Sequence, residues 1–262
     1  MIPVSWFELY ATLPAFLLVL ARVSGLVLAT PLFSGVVIPT RVKIWFSVAM
    51  ALSVFPLTMS HIPARLTVGS AVLGLIGELA LGVFIGLGVT VILLGVQLAT
   101  ELIGQQSGMR LGSVFNPMME SAGTQVSQLY FLVAMMVFLA VGGDRALVRA
   151  LLDSFATVPL LGFRVSANVV GLVVDMLTLS LTIAIRVGGP TVLALLLSFL
   201  TLGFISRTMP QLNILTVGFP LKLAVALVVM AMALMSMEPV LLEAVSLCMN
   251  GIRVGLGLDP AI

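Results

Sequence analysis

The sequence predicts an all-α integral membrane protein built of kinked helical hairpins, on three observations. Of its 262 residues, 61% are hydrophobic and only 8% charged, against roughly 25% charged in an ordinary soluble domain. Mean hydropathy is +1.27. The apolar residues also gather into runs that can cross a bilayer core of about 30 Å, for which about 20 helical residues suffice. No polar block is long enough for a second soluble domain, so one membrane unit is expected over 1–262. The formal net charge of +2 is too small to point to nucleic acid as a partner.

The first apolar run, Leu9 to Phe33, carries Pro14, Arg22 and Pro31. Before it, Glu8 and Pro3 stand where a secretory signal would be positive, so the segment is expected to be retained. Arg22 sits near the middle of the run. An arginine there is costly unless it faces a partner or water, and it marks an interior or subunit-facing surface, with snorkelling from a tilted helix as the alternative. Ser34 to Lys43 is a connection with Pro39 and the basic pair Arg41 and Lys43. Ile44 to Ser60 is a second run, broken by Pro56, and His61, Pro63 and Arg65 make the next turn. His61 is the only histidine, with no acidic neighbour in sequence to orient it as a base, so it reads as an interface residue.

Thr67 to Gln106 is longer than one span requires. It holds Glu78 and the glycines Gly74, Gly77, Gly82, Gly86, Gly88 and Gly95, and Gly82 with Gly86 fits the small-xxx-small pattern of close helix approach. Gln97, Glu101 and Gln105 recur at helical spacing as one polar stripe. The stripe leads into Gly104 to Gln128, a glycine- and amide-rich interruption whose backbone groups would lack partners in lipid. Met109, Leu111, Val114, Phe115, Met118 and Met119 are too apolar for a freely solvated loop. The expectation is a segment folded into a protein-lined space.

Leu129 to Val141 and Leu151 to Phe163 are short runs, the second with Asp153, Pro159 and Gly162, and they read as a hairpin of half-length or strongly tilted helices. Gly142 to Arg149 between them is expected to be a charged turn in which Asp144 and Arg145 satisfy each other. Val169 to Ser206 is a long run expected to be interrupted by Asp175, Arg186 and the breaker Gly188-Gly189-Pro190, with Arg186 just before a kink. The polar turn Arg207 to Asn213 joins it to Ile214 to Met237, an antiparallel hairpin with a positive tip formed by Arg207, Pro210, Gln211, Asn213 and Lys222. Met230, Met232, Met235 and Met237 are read as packing. After Glu238 a mixed tail with Glu243, Arg253 and Asp259 closes on a mildly amphipathic end. Short loops all carry positive charge, so lysine and arginine do not orient the chain.

Chemistry is sparse. Cys248 is the only cysteine, which excludes an intrachain disulfide and a cysteine-cluster metal site and leaves a small buried apolar residue. The sequence has no HExxH, no GxxxxGK[ST] and no histidine beside a serine nucleophile, so neither enzyme nor cofactor nor metal is expected. The stronger rival is an ion-coupled small-molecule carrier, since Arg22, Glu78, Glu101, Asp175 and Arg186 are groups of the kind that build proton relays. Uneven segment lengths and the lack of two matching halves stand against it.

Several stretches resemble the FliR family of flagellar export-gate proteins. Leu20-Ala21-Arg22 through Pro31 and Ile38-Pro39-Thr40-Arg41-Val42-Lys43 look like its opening, and Gly104-Gln105-Gln106-Ser107-Gly108-Met109 with Phe115-Asn116-Pro117 looks like its central region. Met209-Pro210-Gln211-Leu212-Asn213-Ile214, followed by Val217-Gly218-Phe219-Pro220-Leu221-Lys222-Leu223, is the most specific part. The resemblance implies a subunit of the type III export gate in the bacterial inner membrane. Its implied partners are FliP-type and FliQ-type subunits, FlhB-type and FlhA-type export proteins, the basal body ring and unfolded flagellar substrates. It also implies a FliP-like part over about 1–165 and a FliQ-like hairpin and tail over about 166–262. The central loop, 106–125, then corresponds to the family's channel plug, placing Gly108, Met109, Arg110, Leu111, Phe115, Asn116, Pro117, Met118 and Met119 in the closed gate. Methionine is soft enough to seal and repack, and glycine lets the segment fold in a confined space. Injectisome homologues share the architecture, and the motifs lie closer to the flagellar branch.

Overall fold

A computed structural model of the chain describes residues 6–34, 38–58, 68–109, 125–162, 167–209 and 214–255, and these hold nine α-helices and no strand. They are α1 (Trp6–Ala29), α2 (Pro31–Ser34), α3 (Thr40–Thr58), α4 (Val68–Ser107), α5 (Gln125–Ala140), α6 (Gly143–Thr157), α7 (Ala167–Thr208), α8 (Ile214–Met235) and α9 (Met237–Gly255). Three segments are long and apolar enough to cross a membrane, Thr40–Thr58, Gly74–Ser107 and Val170–Thr208; the number rises to five if each of two bent helix pairs is one span. The fold is therefore that of an all-α membrane protein.

The helices sort into two compact units. The first takes Met1–Thr90, Gly143–Met176 and Ser246–Ile262, and the second Val91–Gly142 and Leu177–Val245. In the first unit, Ala15, Leu18, Val19, Arg22, Val23 and Leu26 of α1 are all buried, the three-and-four spacing of one helix face. Phe16 meets the edge of Phe55 on α3, ring centroids 5.6 Å apart. α3 buries only the stripe Ser47, Ala51, Val54 and Thr58 and leaves Ile44, Trp45, Leu52 and Leu57 exposed. A helix apolar on every side yet buried on one stripe has its other faces available to lipid or to another chain.

α4 meets α1 through glycine. A Cβ at Gly82 would lie 1.9 Å from the Arg22 carbonyl oxygen, one at Gly86 would lie 2.8 Å from Ala29 Cβ, and one at Gly25 would lie 2.3 Å from the Leu79 carbonyl oxygen. The two backbones touch with no side chain between them. Thr90 Oγ1 then donates to the Ala29 carbonyl at 2.6 Å. Further along α4, Gly88 leaves room for Cys248 Sγ and Ile252 of α9, so the lone cysteine is a buried packing residue.

In the second unit, the end of α4 packs on α7 in the same manner. A Cβ at Gly95 would meet the Ser180 carbonyl oxygen at 2.7 Å, and one at Gly188 would meet Ala99 Cβ at 3.1 Å. The Thr100 and Ser127 hydroxyls share a hydrogen bond of 2.7 Å that joins α4 to α5. Tyr130 of α5 donates its hydroxyl hydrogen to the Met230 carbonyl of α8.

Two sequence expectations are corrected. The charged stretch Gly142 to Arg149 is a turn only at Gly142, in the left-handed region at φ 83°; α6 begins at the next residue with Asp144 in its first turn. An acid is favoured there by the unpaired N–H groups, and adjacent residues on a helix diverge in direction, so Asp144 and Arg145 form no ion pair with each other. α7 runs unbroken through Gly188-Gly189-Pro190. Pro190 removes a single helix hydrogen bond, and Gly188 serves close packing on Ala99. Over its described residues the tail after Glu238 belongs to helix α9. It starts after a tight turn in which the Ser236 N–H donates to the Ala233 carbonyl at 3.1 Å, and Pro239 falls in its first turn, where the missing N–H has no helical partner to lose.

The backbone contact at Gly82 leads to a first prediction. Gly82→Leu will drive α4 off α1 at a cost of at least about 1–3 kcal/mol, the usual range for overpacking. It will be seen as a lower thermal midpoint and less monodisperse protein in detergent. Gly203→Ala, where an added Cβ meets nothing within 4 Å, will leave both unchanged or improved. Normal recovery of Gly82→Leu would refute the contact.

Candidate functional site

Arg22 of the first unit is 0% exposed although it is among the largest fully buried side chains of the described residues. Its surroundings follow from the donors it carries. Nε donates to Glu78 Oε2 at 2.6 Å, and Glu78 is also 0% exposed. One terminal nitrogen donates to the Ser154 carbonyl at 2.9 Å and to Ser154 Oγ at 3.2 Å. The other donates to the Val158 carbonyl at 3.1 Å. The guanidinium carbon stands 4.1 Å from the centroid of the Phe155 ring, a cation–π contact.

These partners have a local logic. Ser154 lies in the last turn of α6, where carbonyls lack helical partners and the helix presents its negative end. Pro159 stops the helix. After it, Leu161 takes a left-handed conformation at φ 70°, which is strained for a residue with a branched side chain. Two bonds hold it: the Leu161 N–H donates to Glu78 Oε1 at 2.9 Å, and the Gly162 N–H donates to the Pro159 carbonyl at 2.8 Å. Gly74 makes room for Leu161, whose Cδ2 would lie 1.9 Å from an added Cβ. Gly74, Glu78, Gly82 and Gly86 therefore form one stripe on α4, every fourth residue. It receives in turn a side chain, a charge, a carbonyl and a second helix.

A second polar feature lies in the second unit. Gln97 is half-buried and Glu101 and Gln105 are exposed, while Ile92, Val96, Ala99 and Ile103 of the same helix are buried. α4 ends at Ser107, followed by Gly108 at φ 83°, the left-handed glycine that commonly closes a helix, and by half-buried Met109. Arg110, Leu111, Phe115, Asn116, Pro117, Met118 and Met119 lie outside the described residues, as do Pro210, Gln211 and Asn213. Arg207 is exposed in the last turn of α7. Lys222 Nζ lies 4.6 Å from the Phe199 ring centroid.

The structure therefore brings together Arg22 and Glu78, and none of the other charges proposed for a relay is buried. Asp175 and Glu101 are exposed. Arg186 pairs with Glu243 at 2.5 Å, each side chain about half exposed. Arg253 meets Asp153 at 2.7 Å. Hydropathy marked Arg22, Glu78, Glu101, Asp175 and Arg186 as buried-looking, and within this chain Arg22 and Glu78 are buried. Sequence reasoning missed Ser154, Phe155, Val158 and Leu161 as partners of the buried pair. The readable signal was the four-residue repeat from Gly74 to Gly86 with an acid among the glycines.

An all-α membrane protein with a satisfied ion pair inside one unit and an exposed polar stripe on the other is the class that fold and site define. The family model described as "Bacterial export proteins, family 1" matches residues 13–247. The flagellar biosynthetic protein FliR of Bacillus subtilis (strain 168) is 28% identical over 251 residues, covering 94% of this chain and 95% of that protein. The FliR protein of Pectobacterium carotovorum subsp. carotovorum is 29% identical over 232 residues, 83% of each chain. The Yop proteins translocation protein T of Yersinia pestis is 26% identical over 208 residues, 79% of this chain and 80% of that one. The chain belongs to this family of bacterial export proteins, the FliR family, and is a membrane component of flagellar or type III export.

The second prediction concerns the buried pair. Glu78→Gln leaves the guanidinium uncompensated and one acceptor oxygen where Arg22 Nε and the Leu161 N–H now have two, at about 3–5 kcal/mol for breaking a buried pair by one partner. The double variant Arg22→Met/Glu78→Met will be more stable than Glu78→Gln in thermal unfolding, because no lone charge remains. A double variant that loses the sum of the two single losses would show that the charges act independently.

Proposed function

We propose that this chain is the FliR-type subunit of a flagellar type III export gate in the bacterial inner membrane. In this reading it forms the channel core with FliP-type and FliQ-type subunits, within the basal body ring and beside FlhA-type and FlhB-type export proteins. Residues 1–165 act as the FliP-like part and 166–262 as the FliQ-like hairpin and tail. The loop 106–125 plugs the closed channel until a rod, hook or filament protein is exported in unfolded form.

One observation carries the reading. Glu101 and Gln105 stand outward, with Gln97 half-buried in register, on a helix apolar enough to span a membrane, and such a polar stripe is too costly to face hydrocarbon. Their surroundings are a wet lumen or another subunit, and the stripe runs straight toward the plug segment. Abundant exposed apolar side chains on every long helix, among them Trp45, Ile185, Phe204 and Met235, supply surface for neighbouring subunits or lipid. Flagellar rather than virulence-type export is favoured by the FliR names of the relatives in Bacillus subtilis and Pectobacterium carotovorum. An injectisome role is the second reading, on the match to the Yersinia pestis translocation protein. Restoration of motility to a strain lacking its own FliR-type subunit separates the two.

Deletion of Gly108 to Met119 will leave the complex assembled, judged by co-purification of the partner subunits, but will make cells expressing it permeable to ions. Unchanged permeability would dispose of the plug. Transport of a small solute by the chain reconstituted alone would instead favour the carrier.

A further inference from the structure

In the first unit a cavity of about 420 Å³ opens between α1, α2, α3 and α6. Its walls are apolar: Leu26, Phe33, Phe46, Met50 and Leu147. Phe33 and Phe46 pack against each other with ring centroids 4.8 Å apart, giving the cavity an aromatic end. Its rim is charged. Arg145 and Arg149 line it from α6, one turn apart and on one face of that helix. Both are exposed, and neither takes part in an ion pair among the described residues. Asp144 also lines the rim. It stands in the first turn of α6, where the helix end already favours an acid, and two arginines against it leave the rim positive. Lys43 shares a face of α3 with Phe46 and Met50, three and seven residues on.

We infer that this groove binds an anionic phospholipid, its phosphodiester held by Arg145 and Arg149 and an acyl chain laid along the Phe33, Phe46 and Met50 wall. The volume falls within the range of small-ligand sites. Guanidinium groups bind phosphate oxygens through paired N–H donors, and basic pockets between membrane helices are the usual seat of anionic headgroups. The wall supplied by α3 selects the source. The most apolar window of α3 is only 17% buried, so the groove opens along a helix surface that itself suits hydrocarbon, and its occupant enters from the bilayer. A free anion would use the arginines and leave the apolar wall without a function. None of the lining residues belongs to the plug segment, and the inference holds or fails independently of the gate reading.

The test is native mass spectrometry of the full chain, delipidated in mild detergent and offered equal amounts of dioleoylphosphatidylglycerol and dioleoylphosphatidylcholine. The wild type will retain the glycerol lipid preferentially, by about fivefold for each arginine engaged. Arg145→Ala/Arg149→Ala, a change at exposed positions, will bring the ratio to unity, and Arg145→Lys/Arg149→Lys will restore part of it. Met50→Trp, which fills the groove without touching charge, will lower retention of the glycerol lipid. Excess inorganic phosphate will not displace it. Equal retention of the two lipids by the wild type would overturn the proposal, as would a ratio that survives loss of both arginines. Displacement by phosphate would overturn it in favour of a free-anion site. Exclusion of lipid from the chain when it is purified with its partner subunits would overturn it in favour of a protein occupant.

Discussion

A guanidinium carries five N–H donors and a charge it cannot shed, and Arg22 carries them into a place with no water contact at all. An isolated ion there would cost tens of kcal/mol by simple solvation arguments. Every partner of Arg22 is thus a requirement on the fold, and the partners come from two separate parts of the chain: Glu78, and the last turn of α6 with the residue after it. Glu78 meets two requirements at once, since its second oxygen accepts the N–H of Leu161 in a conformation that residue would not otherwise hold. α1, α4 and α6 are located by donor geometry before any side-chain packing is considered.

Glycine makes that geometry reachable. The side chain of Arg22 can meet Glu78 only if α1 and α4 lie close, and at Gly82 the Arg22 carbonyl oxygen occupies the space a Cβ would fill. In lipid the hydrophobic effect does not draw helices together, so close contact and polar bonding must do so. The stripe from Gly74 to Gly86 combines both on one face. In the second unit α4 repeats the glycine contact at Gly95, but a pair of hydroxyls, Thr100 and Ser127, takes the place of the ion pair.

What the sequence made legible follows from local rules. Composition alone gives an all-α membrane protein, and the cost of an arginine within an apolar run points inward for Arg22. The same rule misleads at Arg186 and Asp175, because hydropathy along a helix does not say which face meets protein. Arg186 has an exposed partner in Glu243, 57 residues away. Pairing across such distances is set by tertiary arrangement, as with Arg22 and Glu78, 56 apart. Local reading also overrates breakers: Gly142 ends a helix at φ 83°, whereas Gly188 and Pro190 lie inside one. The difference is a neighbour, Ala99, that a single stretch of sequence cannot contain. The central residues 110–124, on which the plug reading turns, lie outside the described part of the fold.

The two units differ in how far they satisfy themselves. In the first, the buried Arg22 and Glu78 find their partners within the chain, which suits a fixed framework. In the second, Glu101 and Gln105 stand outward. A membrane subunit cannot leave such groups against hydrocarbon, whereas a lumen, a neighbouring helix or an exported chain can meet them. The unfinished polarity lies on the unit that contains both ends of the central stretch, α4 and α5. A membrane component of an export apparatus suits the same division, with a fixed framework beside a surface whose polar bonds are completed by what lies outside the chain.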